Sequence, residues 1–310
     1  MDADLDTLAT ALYVTADDLF RAHPERVPPR PKVGITPSLN DAEVITLAVI
    51  SALLGFDSER RFLRFAREHL ISMFPDLTGQ SGFNKRLRAL AGSMAWLISE
   101  LAVQTSVFTD DVWVADSTPV ECARSRETVQ RSDLAGWAEY GYCASHSRFF
   151  WGLRLHLVTT LHGLPVAWAL TGAKANEREV FEALISNNPA LAHRHQACDQ
   201  LRQQIALADK GYNGQVFEAD MGEAGIDLLR PARRGEKPRP GQEFFKPLRQ
   251  IIESVNDTCK GQLSLERHGG RTPAGVCARI AARILALTTA IWHNDRIGAP
   301  TLRSLIAYDH

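Results

Sequence analysis

The period of the apolar residues changes near Asp111 in the 310-residue chain, from helical to strands interleaved with helices, and that change limits what it can fold into. Before it, the segments LNDAEVITLAVISALLG, SERRFLRFAREHLISMF and FNKRLRALAGSMAWLISELAVQ place apolar side chains at helical spacing. Residues 1 to about 110 therefore read as a helical N-terminal domain. Asn40 or Asp41 is suited to cap the first of these helices and Gly55 to stop it. Arg60, Arg61, Arg64, Arg67, Lys85, Arg86 and Arg88 lie between the apolar stripes, which suits either a helix-turn-helix DNA reader or a bundle that packs on the next domain.

After Asp111 the period falls to two. DVWVADS is a short β-branched run, and FFWGLRLHLVTTLHG and LPVAWALTG are alternating runs joined at His162-Gly163, a hairpin turn. A helix in NEREVFEALI, a strand in QIALADKG, a helix in GQVFEADMGEAG and a strand in IDLLR follow. A basic, proline-rich loop then leads to a helix from about Glu243 to Gly261 and a last one in PAGVCARIAARILALTTAIWH. Three antiparallel strands, helix, strand, helix, strand, helix is the order of an α/β, ribonuclease-H-like mixed sheet flanked by helices. The predicted boundaries are 1–110 for the helical domain, 111–295 for the sheet domain and 296–310 for a tail.

Composition narrows the function classes. The five cysteines form no CxxC pair, which argues against a zinc site or a disulfide framework. The first twenty residues hold five acids and no base, unlike a signal peptide, and no apolar run reads as long enough to cross a bilayer, so the expected compartment is the cytoplasm, with no membrane partner. The net charge of -1 hides segregation: Arg230 to Arg249 holds seven bases, Arg233 and Arg234 among them, against Glu236 and Glu243. Such a block is either an ordinary solvated loop or a set of contacts to phosphates, since the field felt by a ligand is local.

Asp116 and Asp209 each follow an apolar strand, after VWVA and IALA, and are expected at the carboxyl ends of neighbouring strands, where α/β sheets bind ligands. Alone, either is more often an N-cap or turn former. In KPLRQIIESVNDTCKG, Leu248, Ile251, Ile252, Val255 and Cys259 share one helical arc, and Arg249, Glu253, Asn256 and Lys260 share another. Glu253 would then face the sheet margin, although an Arg249–Glu253 surface pair accounts for the spacing equally well. Three carboxylates without histidine or cysteine suit Mg²⁺, and two such ions would serve phosphoryl transfer.

At these residues the chain resembles a known family. ADSTPVECARSR, GYCASHSRFFWGLRLHL, ALADKGY and LRQIIESVNDTCKG are similar, in order and spacing, to the catalytic motifs of insertion-sequence DDE transposases, nearest to the family called nine-eight-two. The likeness runs from about Val112 to Ile291. It implies that Asp116, Asp209 and Glu253 are the metal-binding catalytic triad. It also implies cutting of double-stranded DNA beside terminal inverted repeats and joining of the 3′ end to target DNA with Mg²⁺ or Mn²⁺. The family pattern Tyr, two residues, Arg, three residues, Glu, six residues, Lys is met by Arg249, Glu253 and Lys260, but Lys246 stands at the tyrosine position.

Further candidates for DNA contact are Lys246, Lys210, Arg154 and His156. His156 is either a group that orients a phosphate or a hydrogen-bonded sheet histidine. Trp137, Tyr140 and Tyr142 are expected to pack in the core rather than to stack on an unpaired base. Two DNA ends call for two active sites, hence a homodimer or higher oligomer on DNA in the nucleoid. The competing expectations are a DNA-binding protein without catalysis and a ribonuclease-H-like nuclease.

Overall fold

The computed structural model describes residues 3–29, 37–143, 147–188, 204–239, 241 and 245–308, apart from the side chains of residues 3, 4, 246–249 and 252. Two compact units emerge, Met1–Leu101 with Cys259–His310, and Ala102–Thr258. The sequence places its boundaries at 110 and 295, whereas the second unit ends at Thr258 and the last helix groups with the N-terminal helices.

The first unit holds α1 (Ala3–Ala22), α2 (Asp41–Leu53), α3 (Glu59–His69), α4 (Gln80–Ala89), α5 (Ala91–Val103, which runs across the boundary) and the last helix, Pro273–Arg296. Asn40 caps α2 in a reciprocal capping box with Glu43, and Gly55, at φ +65°, follows its end. The last helix packs on α1, α2 and α4. By length and apolarity it could cross a membrane, contrary to the reading of the sequence, but 83% of its apolar window is buried inside the protein. Apolar residues on every side of a helix mark a core position as readily as a membrane span. Arg283, buried on that helix, donates through Nε to the carbonyls of Leu263 and Ser264 and through Nη1 to that of Arg279, so backbone acceptors offset part of the cost of its burial.

The second unit is built on a six-stranded sheet. Its strands are β1 (Val112–Ala123), β2 (Glu139–Cys143), β3 (Arg148–Thr160), β4 (Pro165–Gly172), β5 (Gln204–Leu207) and β6 (Ile226–Leu229). Its helices are α6 (Arg126–Gln130), α7 (Glu177–Ser186), α8 (Gln215–Glu223) and α9 (Phe245–Asp257). β3 lies between β1 on one edge and, on the other, β2 and β4 in succession, β2 along Arg148–Gly152 and β4 along Leu153–Thr159. β1, β5 and β6 are parallel to one another. Leaving out β2, the order β4-β3-β1-β5-β6 is the ribonuclease-H-like mixed sheet expected from the sequence. Burial of Trp113, Leu153, Leu155 and Phe181 anchors it, each contributing about 1.5–3 kcal/mol.

Two details differ from the sequence reading. β1 does not stop at Asp116 but continues to Ala123, because its pairing with β3 carries the extended chain onward. What stops near Asp116 is the parallel pairing with β5, whose last partners are Val114 and Leu207. The segment holding Trp137, Tyr140 and Tyr142 also contains the extra strand β2. Tyr140 and Tyr142 are exposed there instead of packed in the core, with Tyr142 against the ring of Phe149 at 5.0 Å between centroids. An edge strand buries one face only, and alternation puts both tyrosines on the other.

Candidate active site

Asp116 lies on β1 two residues beyond its last partner on β5, and Asp209 two residues beyond the end of β5 itself. Both acids therefore stand where the parallel pair opens, at the carboxyl end of β5. Burial pushes the Asp116 carboxyl up to about 6, and the charges of Asp209 and Glu177 add to the rise; hydrogen bonds from the Ser117 amide and Asn256 oppose it. The Tyr212 hydroxyl, buried beside them, is raised well above its ordinary value by burial and by Glu177, Asp116 and Asp209. One phenol thus feels three carboxylates.

Asp209 is held by the turn that follows it. Its Oδ1 accepts from the Gly211 amide at 2.5 Å. A Cβ on Gly211 would come within 2.7 Å of that oxygen, so only glycine fits without displacing the carboxylate. Asn213 closes the turn by donating to the carbonyls of Lys210 and Gly211 at 3.1 and 3.3 Å.

α9 packs on β1, and Asn256 on that helix donates to Asp116 Oδ2 at 2.7 Å. Glu253, one turn earlier, is exposed. Residues three apart on a helix are surface neighbours, so Glu253 shares the face that carries Asn256 to Asp116. Val255 is buried, as the apolar arc predicts. The side chains of Lys246 and Arg249 lie outside the described residues. Lys260 falls in the π-helical turn Thr258–Gln262, in the first unit.

Other candidates sort by partner. Arg154 donates through Nη1 to Glu177 Oε1 at 2.6 Å and Ser117 Oγ at 3.0 Å, which holds its guanidinium within the protein. His156 is buried and pairs through Nε2 with Thr171 Oγ1 at 2.9 Å; burial, and then Arg154, push it down to about 4, so it is a neutral, hydrogen-bonded sheet histidine. Lys210, Arg233 and Arg234 are exposed, with Arg233 donating to Asn213 Oδ1 at 2.9 Å.

Three residues near the acids were not singled out from the sequence. Glu177, first residue of α7, reads in a sequence as an ordinary first-turn acid. Asn213 reads as a turn former. Asn256 had a visible signal, its place on the polar arc of Glu253.

A family model described as the transposase DDE domain matches residues 108–289, more than half of the chain. The chain belongs to that family. No curated protein matches it. The domain carries transposition activity, so this is a DNA-binding enzyme that cuts and joins DNA, in a family that generally depends on metal ions.

Among the described residues, no three His, Cys, Asp or Glu side chains are grouped so as to hold a metal ion by themselves. The donor chemistry nonetheless fits a hard divalent cation. Asp116 and Asp209 are two carboxylates near enough for the charge of one to raise the other, and Mg²⁺ is commonly held by one or two carboxylates, with water and substrate phosphate completing its shell.

Proposed function

We propose that this DDE transposase acts on an insertion sequence, cutting beside its terminal inverted repeats and joining the exposed 3′ end to target DNA, and that it falls nearest to the family nine-eight-two. The observation that carries the reading is the meeting of Asp116 and Asp209 where β1 and β5 part, beside the helix face of Glu253 and Asn256. In this reading Asp116, Asp209 and Glu253 hold two Mg²⁺ or Mn²⁺ ions, which when bound supply Lewis-acid activation of the attacking hydroxyl and of the departing oxygen. The chain's own residues do the rest. Asn256 holds the Asp116 carboxylate through Oδ2, and the Gly211 amide holds that of Asp209 through Oδ1. Arg249 and Lys260 grip phosphates of the DNA, Arg249 as a fork and Lys260 as a point charge. Lys210, Lys246, Arg233 and Arg234 extend that track. The protein works as a dimer or higher oligomer, one site for each DNA end, in the cytoplasm at the nucleoid.

Purified protein, linear DNA carrying the element's ends and Mg²⁺ should give cleavage that exposes a 3′-hydroxyl, followed by joining. Wild-type activity in Asp116→Ala or Glu253→Ala would reject the triad. Lys246, at the family's tyrosine position, favours a second reading, a DNA binder without catalysis. Binding of end DNA with no cleavage in Mg²⁺ or Mn²⁺ would select it. Preferred cutting of RNA-DNA hybrids would point instead to a nuclease of the same fold.

A further inference from the structure

The backbone ladder between β1 and β5 ends at Val114 and Leu207, so no strand pairing fixes Asp116 relative to Asp209. Another connection spans that gap. Ser117, next to Asp116, points to the opposite face of the sheet by strand alternation. There its hydroxyl donates to Glu177 Oε1 at 2.5 Å, and Arg154 on β3 donates to the same oxygen. The next residue of α7, Arg178, donates through Nη1 to the carbonyl of Asn213 at 2.8 Å. Asn213 in turn holds the Lys210 and Gly211 carbonyls of the turn that aims Asp209. A Cβ at Gly211 would also lie 3.3 Å from Glu177 Oε2, so the first turn of α7 is packed close against that turn.

We propose that Glu177 and Arg178, acting through Ser117 and Asn213, are positioning residues that set the spacing of Asp116 and Asp209 for cation binding. The two side chains leave one rigid helix end in two directions, one toward the residue after the first acid and one toward the turn of the second. Glu177 binds side chains on β1 and β3, and Arg178 binds a backbone carbonyl, so each anchor is fixed at its far end. The proposal rests on the two acids holding the cation. It predicts that loosening either arm weakens cation binding while leaving DNA binding and the fold in place.

The test compares wild-type, Glu177→Gln, Arg178→Ala and Arg178→Lys full-length proteins. Mn²⁺ affinity is read by calorimetry on the DNA-free protein, hydrogen exchange at the Gly211 and Tyr212 amides by mass spectrometry, and cleavage as a function of Mn²⁺ concentration. Loss of a group that orients a metal ligand typically weakens metal affinity about 10- to 100-fold. Arg178→Ala should weaken Mn²⁺ binding by about tenfold. It should also raise the Mn²⁺ needed for half-maximal cleavage and speed exchange at Gly211 and Tyr212, with end-DNA affinity unchanged. Arg178→Lys, which keeps a donor for the Asn213 carbonyl, should recover most of the loss. Glu177→Gln should weaken Mn²⁺ binding in the same direction without altering exchange in β3. Folded Arg178→Ala with wild-type Mn²⁺ affinity and exchange would overturn the proposal, as would equal losses of Mn²⁺ and DNA binding. If Arg178→Ala does not fold, Glu177→Gln and Arg178→Lys decide by the same readouts. Failure of the wild-type protein to bind Mn²⁺ or to cut would instead overturn the assignment of the acids, and the exchange data would then report on the brace alone.

Discussion

Asn256 donates a 2.7 Å hydrogen bond to Asp116, joining residues 140 positions apart in the chain. It stabilises the charged form of an acid that burial and two neighbouring carboxylates push toward protonation. The bond thus ties α9 to the site and tunes the carboxylate there.

Asn256→Ala should therefore lift the Asp116 carboxyl above its present value of about 6. Cation binding needs the deprotonated acid, so the acid limb of the cleavage-pH profile should move to higher pH, with activity at pH 7 falling about two- to tenfold. A profile with an unmoved acid limb would show that Asn256 does not tune Asp116.

Asp116 also sets a cost in stability. Its carboxyl is raised from 3.8 unfolded to about 6 folded, so the folded state holds the proton more tightly and stability falls as pH rises through that interval. Above about pH 7 the full cost is present, on the order of 3 kcal/mol. Asp116→Asn should stabilise the cation-free protein at pH 8 while abolishing cleavage. Urea titrations at pH 4 and pH 8 check this, since the gain should be smaller at pH 4. Mn²⁺ should raise the melting temperature of the wild type but not of the variant.

Gly211→Ala should leave melting within a few degrees of wild type and reduce cleavage sharply. The added methyl meets Asp209 Oδ1 at 2.7 Å in a surface turn, so the carboxylate moves while the sheet does not. Calorimetric Mn²⁺ titration should show the affinity loss directly, and wild-type affinity would contradict the proposed role of the turn.

The two kinds of arginine should separate by salt. Arg234→Ala, an exposed charge in the basic loop, should weaken end-DNA binding and lower the slope of log affinity against log salt by about one. Arg154→Ala should instead lower stability, because it leaves Glu177 without its guanidinium partner, and should leave the salt slope unchanged. Filter binding between low and moderate salt, with melting curves, distinguishes the two.

Five of the six strands were legible because period two and the His162-Gly163 turn are local signals, whereas β2 was not. The place of Asp209 was legible for the same reason, as an acid following an apolar strand, and Asp116 was legible as an acid after an apolar run although its strand does not end there. The continuation of β1 past Asp116 was not, since it depends on pairing with β3, a partner distant in sequence. The inward turn of Arg154 was equally hidden. An arginine alternating with leucines looks the same whether its partner is a phosphate or Glu177, and only the packing of α7 on β3 decides. Tyr140 and Tyr142 were misjudged because aromatic residues usually pay for themselves by burial, and the pattern does not reveal that their strand lies at an edge.

β3 offers separate stretches of one edge to β2 and β4, so residues 124–143, although they connect β1 to β3 along the chain, are an appendage to the hydrogen-bonded ladder. The strands bearing the acids remain joined whatever that appendage becomes. Evolution can therefore lengthen, trim or exchange it, with its exposed aromatic rings, and give related enzymes new surfaces while the chemistry stays the same.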